Sequence, residues 1–389
     1  MQKTSKKPLR FATLIPFLIL LLAGGAGGYL IGQSLAGIFE QVAQLPDALV
    51  FALVFLIVIS ALYLQILLHE AGHLVFGLLT GYRFLSFRVG SLMLVREQGK
   101  FRLKSFSIAG TGGQCILIPP AWNEHHNPFV LYHLGGAIMN FITGAIFLLL
   151  YLFVSLHAII AALFASLAVS GVAIGLMNAV PLNTELLSND GGNVILLRKD
   201  PLALRASFRM LEIHSTLAKS TRLKDMPEDW FTLPVDAGLG NQMTNSIEVF
   251  AINRLLDQQE IGKALERIRK LFDSGASIHG LHRNMLRIDL IYCMLMQGDA
   301  QSAESELDDT LRKFMQAMKN FPSILRTQYA TALLKDNDAK QAEEILKRFD
   351  RIAKKYPYPC DIESERELIL AAKQKSLQNQ TDTTSLLHN

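Results

Sequence analysis

The chain has 389 residues, half of them hydrophobic, and a net charge of only +4. Residues 1–200 carry 12 Lys/Arg against 8 Asp/Glu, whereas residues 201–389 carry 26 of each, so the whole surplus (12 − 8) lies in the first half. That leaves no case for nucleic acid as a partner and points to membrane orientation instead; three cysteines (Cys115, Cys293, Cys360) with no Cys-x-x-Cys exclude a disulfide framework.

In chain order, Lys3, Lys6, Lys7 and Arg10 precede an apolar run from Phe11 to about Ile38. The run is longer than a signal-peptide core and reads as a retained first span, with cleavage after the Ala/Gly-rich stretch as the alternative. Three further stretches, roughly Ala48–Gly81, Phe129–Val154 and His157–Val180, are long enough to cross about 30 Å of hydrocarbon. All twelve basic residues of the first half fall in the N-terminal tail, between Arg83 and Lys104, or at Arg198 and Lys199. With four spans, the positive-inside rule then puts both termini and segment 82–128 in the cytoplasm.

The second stretch contains Leu68-His69-Glu70-Ala71-Gly72-His73. On a helix, residues four apart share a face, so His69 and His73 can bind one metal ion, zinc being the expected one. Glu70 beside them can take a proton from a zinc-bound water. An ionisable group at membrane depth costs about 2.5–3.5 kcal/mol on insertion scales, which favours a functional reason for keeping it.

Segment 82–118 alternates apolar and polar residues around Glu97-Gln98-Gly99-Lys100, predicting a small β-hairpin. Two tasks suit it equally: an edge strand that pairs with an unwound substrate segment, or a cap over apolar surface. Gly110-Thr111-Gly112-Gly113-Gln114 then reads as a flexible polar loop, and His125 and His126 as exposed loop residues. In the third span, Gly136, Asn140 and Gly144 share one face. Small residues there let helices approach closely, while Asn140 must find a partner in an otherwise apolar run.

Two histidines need a third protein ligand for a catalytic zinc site. Asp190, in Ser188-Asn189-Asp190-Gly191-Gly192 after the fourth span, is the first candidate, and Glu185 is the alternative.

The sequence Gly136-Ala137-Ile138-Met139-Asn140, then Asn178-Ala179-Val180-Pro181 and Asp190-Gly191-Gly192, following a His-Glu-x-x-His within a span, resembles the site-2 protease family of intramembrane zinc metalloproteases. The likeness covers the first half of the chain. It implies an endopeptidase that cuts in or near membrane-spanning segments, with Glu70 catalytic, His69, His73 and Asp190 holding Zn2+, and Asn140 and Asn178 positioning substrate. Asn178 and Asp190 are twelve apart, about one helical turn more than is usual in that family.

After Gly192 the composition changes. Asp200-Pro201 makes an N-cap and first turn for an amphipathic helix, and Lys224–Met243 reads as a linker. From about Asn245, Leu256, Leu295 and Leu334 recur every 39 residues, as do Ala264, Ala303 and Ala342, and Ile268, Leu307 and Leu346. This resembles tetratricopeptide-type helix pairs, a protein-binding architecture, with a period longer than usual. The expected organisation is thus mainly α: a polytopic membrane metalloprotease domain (1–200) with about four transmembrane helices and a small hairpin. A helix and linker (201–244), a soluble α-solenoid-like repeat domain (245–376) and a disordered tail (377–389) follow. The expected partners are a membrane-embedded protein or peptide substrate and a cytoplasmic protein on the repeats. The competing expectation is a catalytically inactive membrane scaffold that binds a partner through those repeats.

Overall fold

A computed structural model describes residues 11–41, 45–97, 99–108, 111–123, 125–181, 188–232 and 241–387. The long apolar runs, lacking internal helix breakers, form α1 (Phe11–Gln41), α2 (Asp47–Leu79), α3 (Val130–Phe153) and α4 (Ala158–Ala179). Among the described residues α2, α3 and α4 are long and apolar enough to cross a membrane, within two residues of the expected stretches. The first expected span is helical too, though its first side chains lie outside the described residues.

Burial on these helices is inverted relative to a water-soluble bundle. Phe51, Phe55 and Leu56 are more than half exposed, whereas Gln65 and Asn140 are fully buried. Apolar outside and polar inside is the arrangement a lipid solvent selects, and it suggests a membrane protein.

The chain divides into two compact units. The first joins α1–α4 to the segment around Asp190; the second takes the sheet together with the C-terminal helices. In the first unit, α2 and α3 cross at Gly72 and Gly135. A Cβ on Gly135 would lie 2.6 Å from the Gly72 carbonyl oxygen, so only glycine permits this approach.

In the second unit the expected hairpin is a four-stranded antiparallel sheet. Its strands β1 (Arg83–Val89), β2 (Leu92–Glu97), β3 (Lys100–Ser105) and β4 (Gly113–Ile118) run in the order β3-β2-β1-β4. The anticipated turn joins β2 to β3. A second tight turn at Gly90-Ser91, with Gly90 in left-handed conformation (φ 58°), adds β1. Gly113 and Gln114, read as flexible loop, instead open β4 and pair with Val89 and Arg88. The Arg88 side chain, 1 % exposed, holds that edge by donating to the carbonyls of Gly90 (2.8 Å) and Gly113 (3.2 Å) and to Thr111 Oγ1 (2.6 Å).

Next come α5 (Asp190–Lys199), α6 (Pro201–Leu217), α7 (Gln242–Asp257), α8 (Ile261–Asp273), α9 (Gly280–Met296), α10 (Ala300–Ser305), α11 (Asp309–Ala317), α12 (Pro322–Leu334), α13 (Ala339–Ala353) and α14 (Pro359–Leu387). As expected, Asp200 caps α6, its Oδ1 accepting from Leu202 N (2.9 Å) and Ala203 N (3.1 Å).

The 39-residue period is real in the backbone and reaches one unit earlier than its side chains suggested. Ser220, Gln259, Gly298 and Asn337 all adopt left-handed φ, each three residues after Leu217, Leu256, Leu295 and Leu334. Helix α6 is therefore the first member of the series. Ala264, Ala303 and Ala342 are buried where the second helix of each pair begins. Segment 224–243 is less linker-like than expected: Phe231 is buried, with the Arg254 guanidinium 5.4 Å from its ring centre, while 233–240 lie outside the described residues. The tail expected to be disordered continues α14 as a helix as far as Leu387.

Candidate metal centre

His69 and His73 sit one turn apart on the buried face of α2, with Glu70 also buried beside them. Asp190 opens α5, and two neighbours hold it there. The Asn189 amide donates to the carbonyls of Met177 and Val180 at the end of α4 (2.6 Å each), while its Oδ1 accepts from Gly192 N (2.9 Å). Gly191 lies so close to Ala179 that any side chain would strike the Ala179 carbonyl. The Asp-Gly-Gly sequence thus exists to seat this helix start against α4.

The result is a three-atom cluster. His69 Nε2 and His73 Nε2 are 3.1 Å apart, and Asp190 Oδ2 lies 3.2 Å from the first and 3.5 Å from the second. Their far sides decide what these atoms present to one another. The Gln65 amide, fully buried one turn before His69, donates Nε2–H to Leu167 O (2.9 Å), which fixes its orientation. Its Oε1 therefore faces Asn140 and accepts from Asn140 Nδ2 (2.7 Å), which also donates to Gln65 O (2.9 Å). Asn140 Oδ1 is thereby left to accept from His69 Nδ1 at 2.6 Å. His73 Nδ1 donates to the Tyr132 carbonyl at 2.8 Å. Both rings accordingly carry a proton on Nδ1, so that in the neutral rings both Nε2 lone pairs face the cluster.

Two bare imidazole nitrogens and a carboxylate oxygen converging at such distances repel one another unless a cation lies among them. Asp190 Oδ2 is buried and accepts no hydrogen bond among the described residues. Gly136 keeps the space open, since a Cβ there would stand 2.6 Å from both Nε2 atoms. The donor set, its tautomers and the gap all fit a metal ion, and His69, His73 and Asp190 are the group that could hold one.

Of the expected site residues, the geometry brings together His69, His73 and Asp190, and Glu70 is buried at the next position of α2 after His69. Glu185, the alternative ligand, lies outside the described residues. The Asn140 amide, expected to position substrate, is 0 % exposed and hydrogen-bonded to His69 and Gln65. The Asn178 amide donates to Ile174 O (3.0 Å), within its own helix. His125 and His126 are exposed, as expected.

Sequence reasoning missed Gln65, Tyr132 and Asn189. Gln65 had a signal: with His69 and His73 it continues a polar row at four-residue spacing through an apolar helix. Tyr132 acts through its backbone carbonyl, which no side chain advertises. Comparison with family models, with curated proteins and with solved structures returned no match.

Proposed function

We propose that this chain is an intramembrane zinc endopeptidase of the site-2 protease kind, cutting peptide bonds in or near the membrane spans of its substrates. The observation that carries this reading is the convergence of two bare imidazole nitrogens and the Asp190 carboxylate, from segments over a hundred residues apart, beside a buried glutamate. Zinc suits the set: N and O donors on a four-coordinate ion with bonds of about 2.0–2.1 Å stand roughly 3.3 Å apart, and the three separations here bracket that value.

When bound, zinc supplies Lewis acidity, lowering the pKa of water and polarising a carbonyl. The residues of the chain do the rest. The Glu70 carboxylate accepts the proton of the attacking water and returns it to the departing amide nitrogen. Asn140 and the Tyr132 carbonyl hold the two imidazoles in their Nδ1–H form, so that no proton competes at Nε2. A helical peptide bond is shielded by its own hydrogen bonds, so the substrate unwinds locally before attack. The basic residues at 83–104 and 198–199 favour an orientation with both termini and the helix pairs in the cytoplasm. There, a tetratricopeptide-like stack recruits a protein partner.

The test pairs metal content with cleavage. Purified protein is expected to hold one zinc per chain, Glu70→Gln to keep that zinc and lose cleavage of co-expressed membrane-spanning substrates, and Asp190→Ala to lose both. Zinc retained without cleavage by the wild type, together with a phenotype indifferent to Glu70→Gln, would support the inactive scaffold instead.

A further inference from the structure

The second unit encloses a cavity of about 340 Å³, in the size range of small-molecule sites. Its apolar wall comes from the sheet and the helix series: Phe106, Phe321 and Tyr356 pack with ring centres 5.5–6.0 Å apart. Its polar wall is unbalanced, with Asp257, Asp289, Asp361 and Glu365 facing only two guanidiniums, Arg222 and Arg326.

Both guanidiniums are already committed. Arg222 binds Asp257 through Nε (3.0 Å) and Nη2 (2.5 Å), and also binds Glu367. Arg326 binds Asp289 (2.6 Å) and reaches Glu365 (3.3 Å), one cation between two carboxylates. Asp361, one turn before Glu365 on the same face of α14, faces the Cys360 thiol at 3.9 Å and has no cation beside it among the described residues. Ser323, nine-tenths buried on the cavity lining, has no partner for its hydroxyl among the described residues. The facing histidines add no charge, because burial holds His214 and His282 down at about 4.

We propose that this cavity is a binding site for an alkylammonium group, whose cationic end meets Asp361 and Glu365 and whose alkyl chain lies on Phe106, Phe321 and Tyr356. The charge deficit selects a cation, the aromatic wall selects an apolar body, and the size admits a short chain. Burial pushes both carboxyls up to about 7, so both carry charge at pH 8 and gain from a cation placed beside them. This site owes nothing to the metal centre and stands if the protease reading fails.

The test uses full-length protein in detergent at pH 8, with binding followed by saturation-transfer NMR and by thermal shift. The probes are n-butylammonium, its neutral isostere n-butanol, the anion butyrate, and lysine blocked at both ends. The expected result is n-butylammonium binding at least tenfold tighter than n-butanol, no butyrate binding, and at least tenfold loss in Asp361→Asn. Glu365→Gln serves as the second variant should Asp361→Asn not fold. Blocked lysine binding more tightly than n-butylammonium would make a protein side chain the source of the group, and the reverse order a free amine. Equal binding of n-butanol and n-butylammonium, no binding of either, or affinity unmoved in a folded variant would overturn the proposal.

Discussion

Gln65→Leu tests the chain of logic behind the metal centre, because Gln65 touches neither the ligand atoms nor any reacting group. The substitution removes the amide that donates to Leu167 O and accepts from Asn140 Nδ2. Asn140 keeps one donor contact, to the Gln65 backbone carbonyl, but loses the partner that dictates which way its amide faces. Once Asn140 can turn its NH2 toward His69, the Nδ1–H tautomer loses its preference and a proton competes for Nε2. Outer partners of metal ligands are worth about 10- to 100-fold in affinity, which is about 1.4–2.7 kcal/mol. Gln65→Leu should therefore weaken zinc binding by about tenfold or more, read by competition against a chromophoric chelator in detergent. The decisive comparison is on an Asn140→Leu background. If Gln65 acts only through Asn140, its loss there should change affinity less than about twofold, even though stability falls by about 0.5–1.5 kcal/mol for the buried hydrogen bond to Leu167 O that is lost. An equal loss of affinity on both backgrounds, or none in the wild type, would refute the relay.

Gly136→Ala places a methyl 2.6 Å from both Nε2 atoms and should abolish metal retention while the protein still extracts as a folded monodisperse species; full zinc content in that variant would show that the gap is not the ion's place. Asn189→Ala frees the carbonyls of Met177 and Val180 and the cap of α5. It should lower zinc affinity through a misplaced Asp190, with protease protection lost first around residues 188–192, and unchanged limited proteolysis would count against the clamp. Stability against pH should separate two opposed groups in the second unit. Asp361 and Glu365, raised to about 7, contribute stability that is present below pH 4 and lost as pH climbs to 7. His214 and His282, lowered to about 4, contribute stability present above pH 6.5 and lost as pH falls toward 4. Between pH 4.5 and 6.5 the two trends offset, so the wild-type melting temperature should vary little. Asp361→Asn/Glu365→Gln should instead gain stability with rising pH across that window, and a flat profile in the double variant would contradict the assignment.

Much of the first unit was legible because a span is a local statement. Residues from Asp47 to Leu79 have to satisfy their backbone within one helix, so hydropathy alone marks its ends. The His-Glu-x-x-His row was legible for the same reason, since four-residue spacing fixes a shared face without any tertiary knowledge. The sheet was only half legible. Alternation gave strands around Glu97–Lys100, but the pairing of Gly113–Ile118 with β1 depends on Arg88 reaching Gly113 across twenty-five residues, and nothing local in a Gly-rich stretch announces a strand. The helix series shows the opposite limit. Its side-chain repeat fades at α6, where only Leu217 keeps the pattern, while the backbone repeat persists in the left-handed residue three positions later.

Asn140 carries the sharpest lesson about what a motif can tell. A buried amide in an apolar helix has to be hydrogen-bonded, and the sequence says that much. It does not say to whom, because an amide can serve a substrate or a ligand equally well. The choice is made by Gln65, one polar residue in an apolar helix, whose own orientation is set by a backbone carbonyl on a third helix. The identity of the candidate ligands is therefore written in α2 and the Asp-Gly-Gly segment, but the orientation of their rings is written in the packing of α2, α3 and α4 around one glutamine. That is why a variant at Gln65, rather than at a ligand, tells whether this site is organised to bind an ion or merely contains the residues for one.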